Sequence, residues 1–200
     1  MCGILEVAER KGITMEYARM RAIADELRQV EEAWAVEISG DEIIMMMSPS
    51  KRHEYIVLPL TQRLNRQLEG VEPEVWAHSG AEAEDPSGAA SLRRPDIMIL
   101  PPEALNTEGP SLAPEDLLAV IEVVSKPNPE NDYLGKTRDY AVMGIEHYLL
   151  VDPRKGTGTV LSSPHPTAEG QRYAQRLEFA FGETVQLGPW RIETADFPLY

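Results

Sequence analysis

Two acids stand where acids are costly. Asp96 follows Arg93-Arg94-Pro95 and opens the apolar run Ile97-Met98-Ile99-Leu100. Glu122 lies within Leu117-Leu118-Ala119-Val120-Ile121-Glu122-Val123-Val124-Ser125. Each run reads as a buried strand, because apolar side chains occupy both parities. A carboxylate in such surroundings must be paired or must bind a metal. Two of them on neighbouring strands would make a small oxygen-rich site suited to Mg²⁺, with Mn²⁺ as the alternative ion. The backbone carbonyl of Val123 and water would complete the coordination shell. The same acids could instead sit solvated at strand ends, and spacing alone leaves both readings open.

A divalent ion held there would lower the pKa of a bound water and stabilise charge on a phosphoryl oxygen. A nearby lysine would orient that water or stabilise the transition state. Lys136 is the candidate. It lies one helical turn after Asp132 and one before Tyr140, so the three share a face. That face looks toward the acids, or else Asp132 and Lys136 form a surface ion pair of little worth.

The elements that must position these residues follow from periodicity. Residues 13–34 read as an amphipathic helix, with Tyr17, Met20, Ile23, Leu27, Val30 and Trp34 on one face and Thr14 as its cap. Residues 34–47 read as a hairpin turning at Ser39-Gly40-Asp41, its three methionines filling core. After Ser48-Pro49-Ser50, a helix over 51–69 puts His53, Ile56, Leu60, Leu64 and Leu68 on one face and ends at Gly70. A strand over 73–78 leads into an acidic loop reaching Ser91. The proline-rich stretch 101–116 is a loop. Ser125-Lys126-Pro127-Asn128-Pro129 interrupts regular structure, and Asn131 or Asp132 starts a helix ending near Gly144. A strand over 146–151 stops at Asp152-Pro153, and short β runs fill the remainder. The expected architecture is a mixed α/β domain, a central sheet flanked by helices. Residues 1–33 form an N-terminal helical extension and 34–200 the main domain.

Bulk numbers narrow the function classes. Two hundred residues, 42% hydrophobic and 26% charged, are ordinary for one globular domain. No apolar run has membrane-spanning length, and no secretory pattern opens the sequence. The single cysteine, Cys2, cannot form an internal disulfide, which fits a cytoplasmic setting. A net charge of −14 argues against a simple phosphate-coating binder. Local cations do flank the key segments: Lys51, Arg52, Arg93, Arg94, Lys126, Lys136 and Arg138. No histidine pair has zinc-ligand spacing. Phosphate-loop and serine-hydrolase elbow motifs are also missing.

Arg94-Pro95-Asp96-Ile97, then Ile121-Glu122-Val123-Val124-Ser125, then Lys136, Tyr140, Gly144 and Asp152-Pro153 together resemble the Uma-type putative restriction endonuclease family. That family belongs to the PD-(D/E)XK nuclease superfamily, and the resemblance spans roughly residues 34–190. It implies a restriction-endonuclease-like fold and a Mg²⁺-dependent site. Pro95-Asp96 matches the superfamily's Pro-Asp, Glu122 its second acid, and His53 a histidine that recurs in the family's first core helix. One departure stands out. The superfamily usually carries lysine two residues after the second acid, where this chain has Val124. In the Uma-type branch the lysine is thought to have moved to the next helix, which makes Lys136 its counterpart.

The expectation is an endonuclease that hydrolyses phosphodiester bonds in DNA. Asp96 and Glu122 hold the metal with the Val123 carbonyl, Lys136 assists, and His53 shapes the site. Arg93, Arg94 and Lys126 contact phosphate. A homodimer or a partner protein would supply grip that an acidic surface does not. The alternative is a non-catalytic nucleic-acid-binding or oligomeric interaction module that keeps the fold.

Overall fold

The structure, a computed structural model, describes residues 14–31 and 33–200. Cys2 and the first residue of the expected N-terminal helix lie outside the described residues. Helix α1 spans Met15–Leu27, and the Thr14 hydroxyl caps it by accepting from the Tyr17 N–H at 3.1 Å. It is shorter than the apolar spacing predicts. Tyr17 and Ala24 are its buried residues, while Ile23 and Val30 are exposed. Trp34 lies outside the helix, at a bend just before the first strand, where its N–H donates to the Met46 carbonyl.

The expected hairpin is present as β1 (Ala35–Ser39) and β2 (Glu42–Met46). β1 has its two faces covered. Val36 and Ile38 pack with Tyr17 and Ala24, while Glu37 and Ser39 point into a buried polar network. β2 is an edge strand, so Met45 and the following Met47 are exposed rather than core filler. Helix α2 runs over Lys51–Val71 from a Ser50 cap, passing the expected stop at Gly70. Its buried stripe of Ile56, Val57, Leu60, Leu64 and Leu68 covers one sheet face.

The predicted acidic loop contains two short strands, β4 (Ala83–Asp85) and β5 (Ser91–Arg93), after β3 (Trp76–His78). At three residues each, they carry too little alternation to be read. β6 (Ile97–Leu100), β7 (Ala119–Val123) and β8 (His147–Asp152) follow. Between β7 and β8 the chain forms a π-helical segment, Asn131–Lys136, that continues into α3 (Thr137–Val142). The long hairpin of β9 (Thr157–Thr167) and β10 (Gly170–Ala180) replaces the short β runs expected there. Pro164 and Pro166 are tolerated in β9 because β8 pairing stops at Ser162, leaving that stretch bonded only to β10. β11 (Thr184–Leu187) and β12 (Trp190–Glu193) form a small closing hairpin.

The strands make a four-stranded sheet ordered β2-β1-β5-β4 and a six-stranded sheet ordered β10-β9-β8-β7-β6-β3. Among the strands of the described residues, only β7 and β8 pair in parallel, joined through the π–α3 crossover. Alternation sends Ile97, Ile99, Ile121 and Val123 toward α2. Met98, Val120 and Val124 face the opposite layer, which includes Tyr140 of α3 and Tyr148. The chain is thus a mixed α/β domain with a central mixed sheet, flanking helices and an N-terminal helix.

Candidate metal and phosphate site

The site begins with strand register. β6 and β7 are antiparallel, with Ile97 opposite Ile121. Just past that pair stand Asp96, before β6, and Glu122, inside β7. Asp96 lies immediately before β6, after buried Pro95, and keeps 14% of its side chain exposed. Its Oδ2 accepts from the Val123 N–H at 2.7 Å and meets His53 Nε2 at 3.0 Å. Among the described residues, Oδ1 has no hydrogen-bond partner. His53 belongs to the first turn of α2, where the Ser50 cap accepts its N–H at 3.2 Å. Burial disfavours a charged His53, but the Asp96 hydrogen bond and charge prevail and raise its pKa. Burial would likewise raise Asp96, yet His53, with Lys136 and the Val123 N–H, holds it below the usual carboxylate range.

Glu122 is buried outright. Its parity points it at the π–α3 crossover, where Tyr140 donates to Oε1 at 2.5 Å and Lys136 Nζ lies 2.8 Å from Oε2. Lys136 is also buried and sits 3.5 Å from Glu37 Oε1 and 3.6 Å from Asp132 Oδ1. The shared helix face of Asp132, Lys136 and Tyr140 therefore does look toward the acids. The surface-pair alternative fails, because Asp132 and Lys136 are both buried. Val124, fully buried, fills core on the same sheet face as Glu122, and the cation comes from the crossover instead.

Glu37 is the acid that sequence reasoning missed. It stands between Val36 and Ile38 in an apolar strand, the same signal that singled out Asp96 and Glu122. Arg93 grips it, with Nη1 donating to Glu37 Oε2 at 2.8 Å. The same guanidinium donates to Asp139 Oδ2 at 2.7 and 2.9 Å, to Ser39 Oγ at 2.8 Å and to Asn131 Oδ1 at 3.1 Å. The Arg94 N–H donates to Glu37 Oε1 at 3.0 Å. Burial would raise Glu37, but Lys136 and Arg93 outweigh it and lower its pKa.

This network corrects one expectation. Arg93 is 0% exposed with its guanidinium engaged by four partners, so it is a clamp inside the fold and does not reach a phosphate. Arg94 and Lys126 stay nearer solvent. The Arg94 guanidinium lies 4.4 Å over the Trp34 ring, and Lys126 Nζ lies 5.4 Å over the Tyr200 ring. Tyr200 donates to the Val124 carbonyl at 3.2 Å, which brings this pair to the end of β7 beyond Glu122.

The charges do not balance within the cluster. Glu37, Glu122 and Asp132 share Lys136, Asp96 pairs with His53, and Arg93 is shared between Glu37 and Asp139. Burial raises Glu122 well above its ordinary pKa; Lys136 opposes this, while Asp96, Asp132 and Glu37 add to it. Burial also raises Asp132, to about 6. A surplus of buried carboxylates beside a partly open Asp96 suits a hard cation, and Mg²⁺ typically uses one or two carboxylates and retains water. Among the described residues, no three His, Cys, Asp or Glu side chains form a ready-made metal cage.

The mixed sheet, Asp96 at the start of β6 bonded to the Val123 N–H next to Glu122, and the lysine from the crossover give a restriction-endonuclease-like fold. Residues 17–191 match the family described as "Uma2: Putative restriction endonuclease", and the chain belongs to that family. In fold it is similar to a putative nuclease belonging to DUF820 from Anabaena variabilis ATCC 29413. The TM-score is 0.65 at 16% identity, covering 87% of this chain and 96% of that one. The chain matches no curated protein. Among the described residues, no helix is long and apolar enough to cross a membrane.

Proposed function

We propose that this protein is a metal-dependent endonuclease that hydrolyses phosphodiester bonds in DNA. The observation that carries the reading is Asp96, bonded to the Val123 N–H next to Glu122, with Lys136 Nζ 2.8 Å from Glu122. Asp96, Glu122 and the Val123 carbonyl would hold Mg²⁺, or Mn²⁺ in its place. A cation there supplies an acidified water and charge neutralisation at a phosphoryl oxygen. His53 fixes the Asp96 carboxylate through Oδ2, leaving Oδ1 free of protein partners. Lys136 remains protonated despite its burial, because Glu122, Glu37 and Asp132 surround it. Its ammonium is therefore a fixed positive charge for the attacking water or the transition-state phosphate. Arg94 and Lys126 would contact flanking phosphates. The net charge of −14 gives weak long-range attraction to DNA. A homodimer or a partner protein would strengthen the grip, in a cytoplasmic setting.

The test is nicking of supercoiled plasmid in millimolar Mg²⁺ or Mn²⁺ by the wild type and by Asp96→Ala. Cleavage by the wild type alone is expected, with the variant still folded by circular dichroism. Undiminished cleavage by Asp96→Ala would sink the assignment. DNA binding with no cleavage by either would favour the non-catalytic module.

A further inference from the structure

Both oxygens of Glu122 are already committed. Oε1 accepts from Tyr140, Oε2 faces the Lys136 ammonium, and the side chain is 1% exposed. A cation approaching Oε2 meets the like charge of an ammonium 2.8 Å from that oxygen. Lys136, however, has two further carboxylates within reach. At 3.5 Å from Glu37 Oε1 and 3.6 Å from Asp132 Oδ1, Nζ is outside good hydrogen-bond range of each, and a small movement would bring it within range. Both acceptors are anchored. Glu37 is gripped by Arg93 and the Arg94 N–H, and Asp132 Oδ2 accepts from the Ser125 N–H at 3.3 Å.

We propose that Lys136 is the built-in competitor of the divalent cation for Glu122, and that metal loading transfers its ammonium from Glu122 to Glu37 and Asp132. The inference rests on the metal site of the nuclease reading and adds a residue exchange within it. The ammonium holds the carboxylate cluster together before loading, since buried acids without a counter-charge would repel one another. It also weakens metal binding, because every binding event must first break the Glu122 contact. Glu37 then has a definite role: it is a positioning residue that receives the lysine.

The experiment is calorimetric titration of the full chain with MnCl2, using wild type, Lys136→Met and Lys136→Gln. The two variants guard against one failing to fold. Either folded variant is expected to bind Mn²⁺ at least tenfold more tightly than wild type. Adding Glu122→Gln to that variant is expected to abolish the gain, which separates this site from weak binding to the acidic surface. Unchanged or weaker binding in the lysine variants would overturn the exchange, as would no binding by any of the three proteins. Plasmid cleavage is scored separately. Tighter binding with no cleavage by wild type would sink the nuclease reading and leave the exchange standing. Cleavage with unchanged affinities would do the reverse.

Discussion

Replacing Arg93 with methionine tests how the fold holds its acids. The guanidinium is 0% exposed and donates to Glu37, Asp139, Ser39 and Asn131. Methionine fills similar space but leaves two buried carboxylates without their shared cation. Removing one partner of a buried ion pair typically costs about 3–5 kcal/mol. Each acid keeps a second cation, Glu37 with Lys136 at 3.5 Å and Asp139 with Arg138 at 2.9 Å. The loss should therefore fall near the low end, about 3 kcal/mol. That is a large share of the roughly 5–15 kcal/mol that stabilises a typical domain. Urea unfolding should show a lower midpoint with an unchanged slope. For a chain of this size, Tm should fall by about 6–12 °C. Arg93→Lys should recover only part of the loss, because one ammonium cannot reproduce the planar fork. Adding Glu37→Gln to Arg93→Met should cost less than the sum of the two changes, since the same contact is lost in each. A loss below about 1 kcal/mol, the scale of an exposed ion pair, would refute the clamp.

Three further outcomes follow from the same geometry. Burial raises Asp132 to about 6, so the folded state binds its proton more tightly than the unfolded chain does. Stability should then fall as pH rises from about 4 to 6, by roughly 3 kcal/mol in all. Asp132→Asn should flatten that fall in pH-resolved urea melts, and parallel curves for the two proteins would contradict the assignment. Gly135→Ala would ordinarily favour a helix by about 1 kcal/mol. Here a Cβ would lie 2.8 Å from Asn131 Oδ1 and 3.1 Å from Arg93 Nη2, so thermal melts should show destabilisation. Lys126→Ala should reduce the salt slope of DNA affinity by about one phosphate contact, whereas Arg93→Met should leave the slope unchanged. Fluorescence anisotropy across a salt series checks both.

Much of the site was legible because buried charge is conspicuous in apolar runs. Asp96 and Glu122 stand out that way, and the Val123 N–H that donates to Asp96 brings the first acid beside the second. Glu37 carried the same signal between Val36 and Ile38. Its burial depends on tertiary partners that the hairpin sequence does not encode: α1 covers one face of β1 and the Arg93 network fills the other. Arg93 was misread for a related reason. Next to Arg94 and Pro95 it looked like surface charge, and only the β1–β5 pairing shows that alternate residues turn inward. Lys136 could be placed on the correct helix face from spacing. Whether that face was buried depended on the crossover between β7 and β8, which local periodicity does not encode. The π-helical register of Asn131–Lys136 was equally hidden, since the residues also suit an ordinary α-helix. The short strands β4 and β5 and the full length of the β9–β10 hairpin depend on pairing with distant chain.

The most direct measurement of the central claim is the single-turnover rate of DNA cleavage across a Mg²⁺ titration, for wild type and Glu122→Gln, with a chelator control. A metal site at Asp96 and Glu122 gives no cleavage in chelator, a rate that saturates with Mg²⁺ for wild type, and a loss of at least about a hundredfold in the variant, the scale seen when one charge-stabilising group is removed from an active site. Cleavage that persists in chelator, or a Glu122→Gln rate equal to wild type, would contradict it.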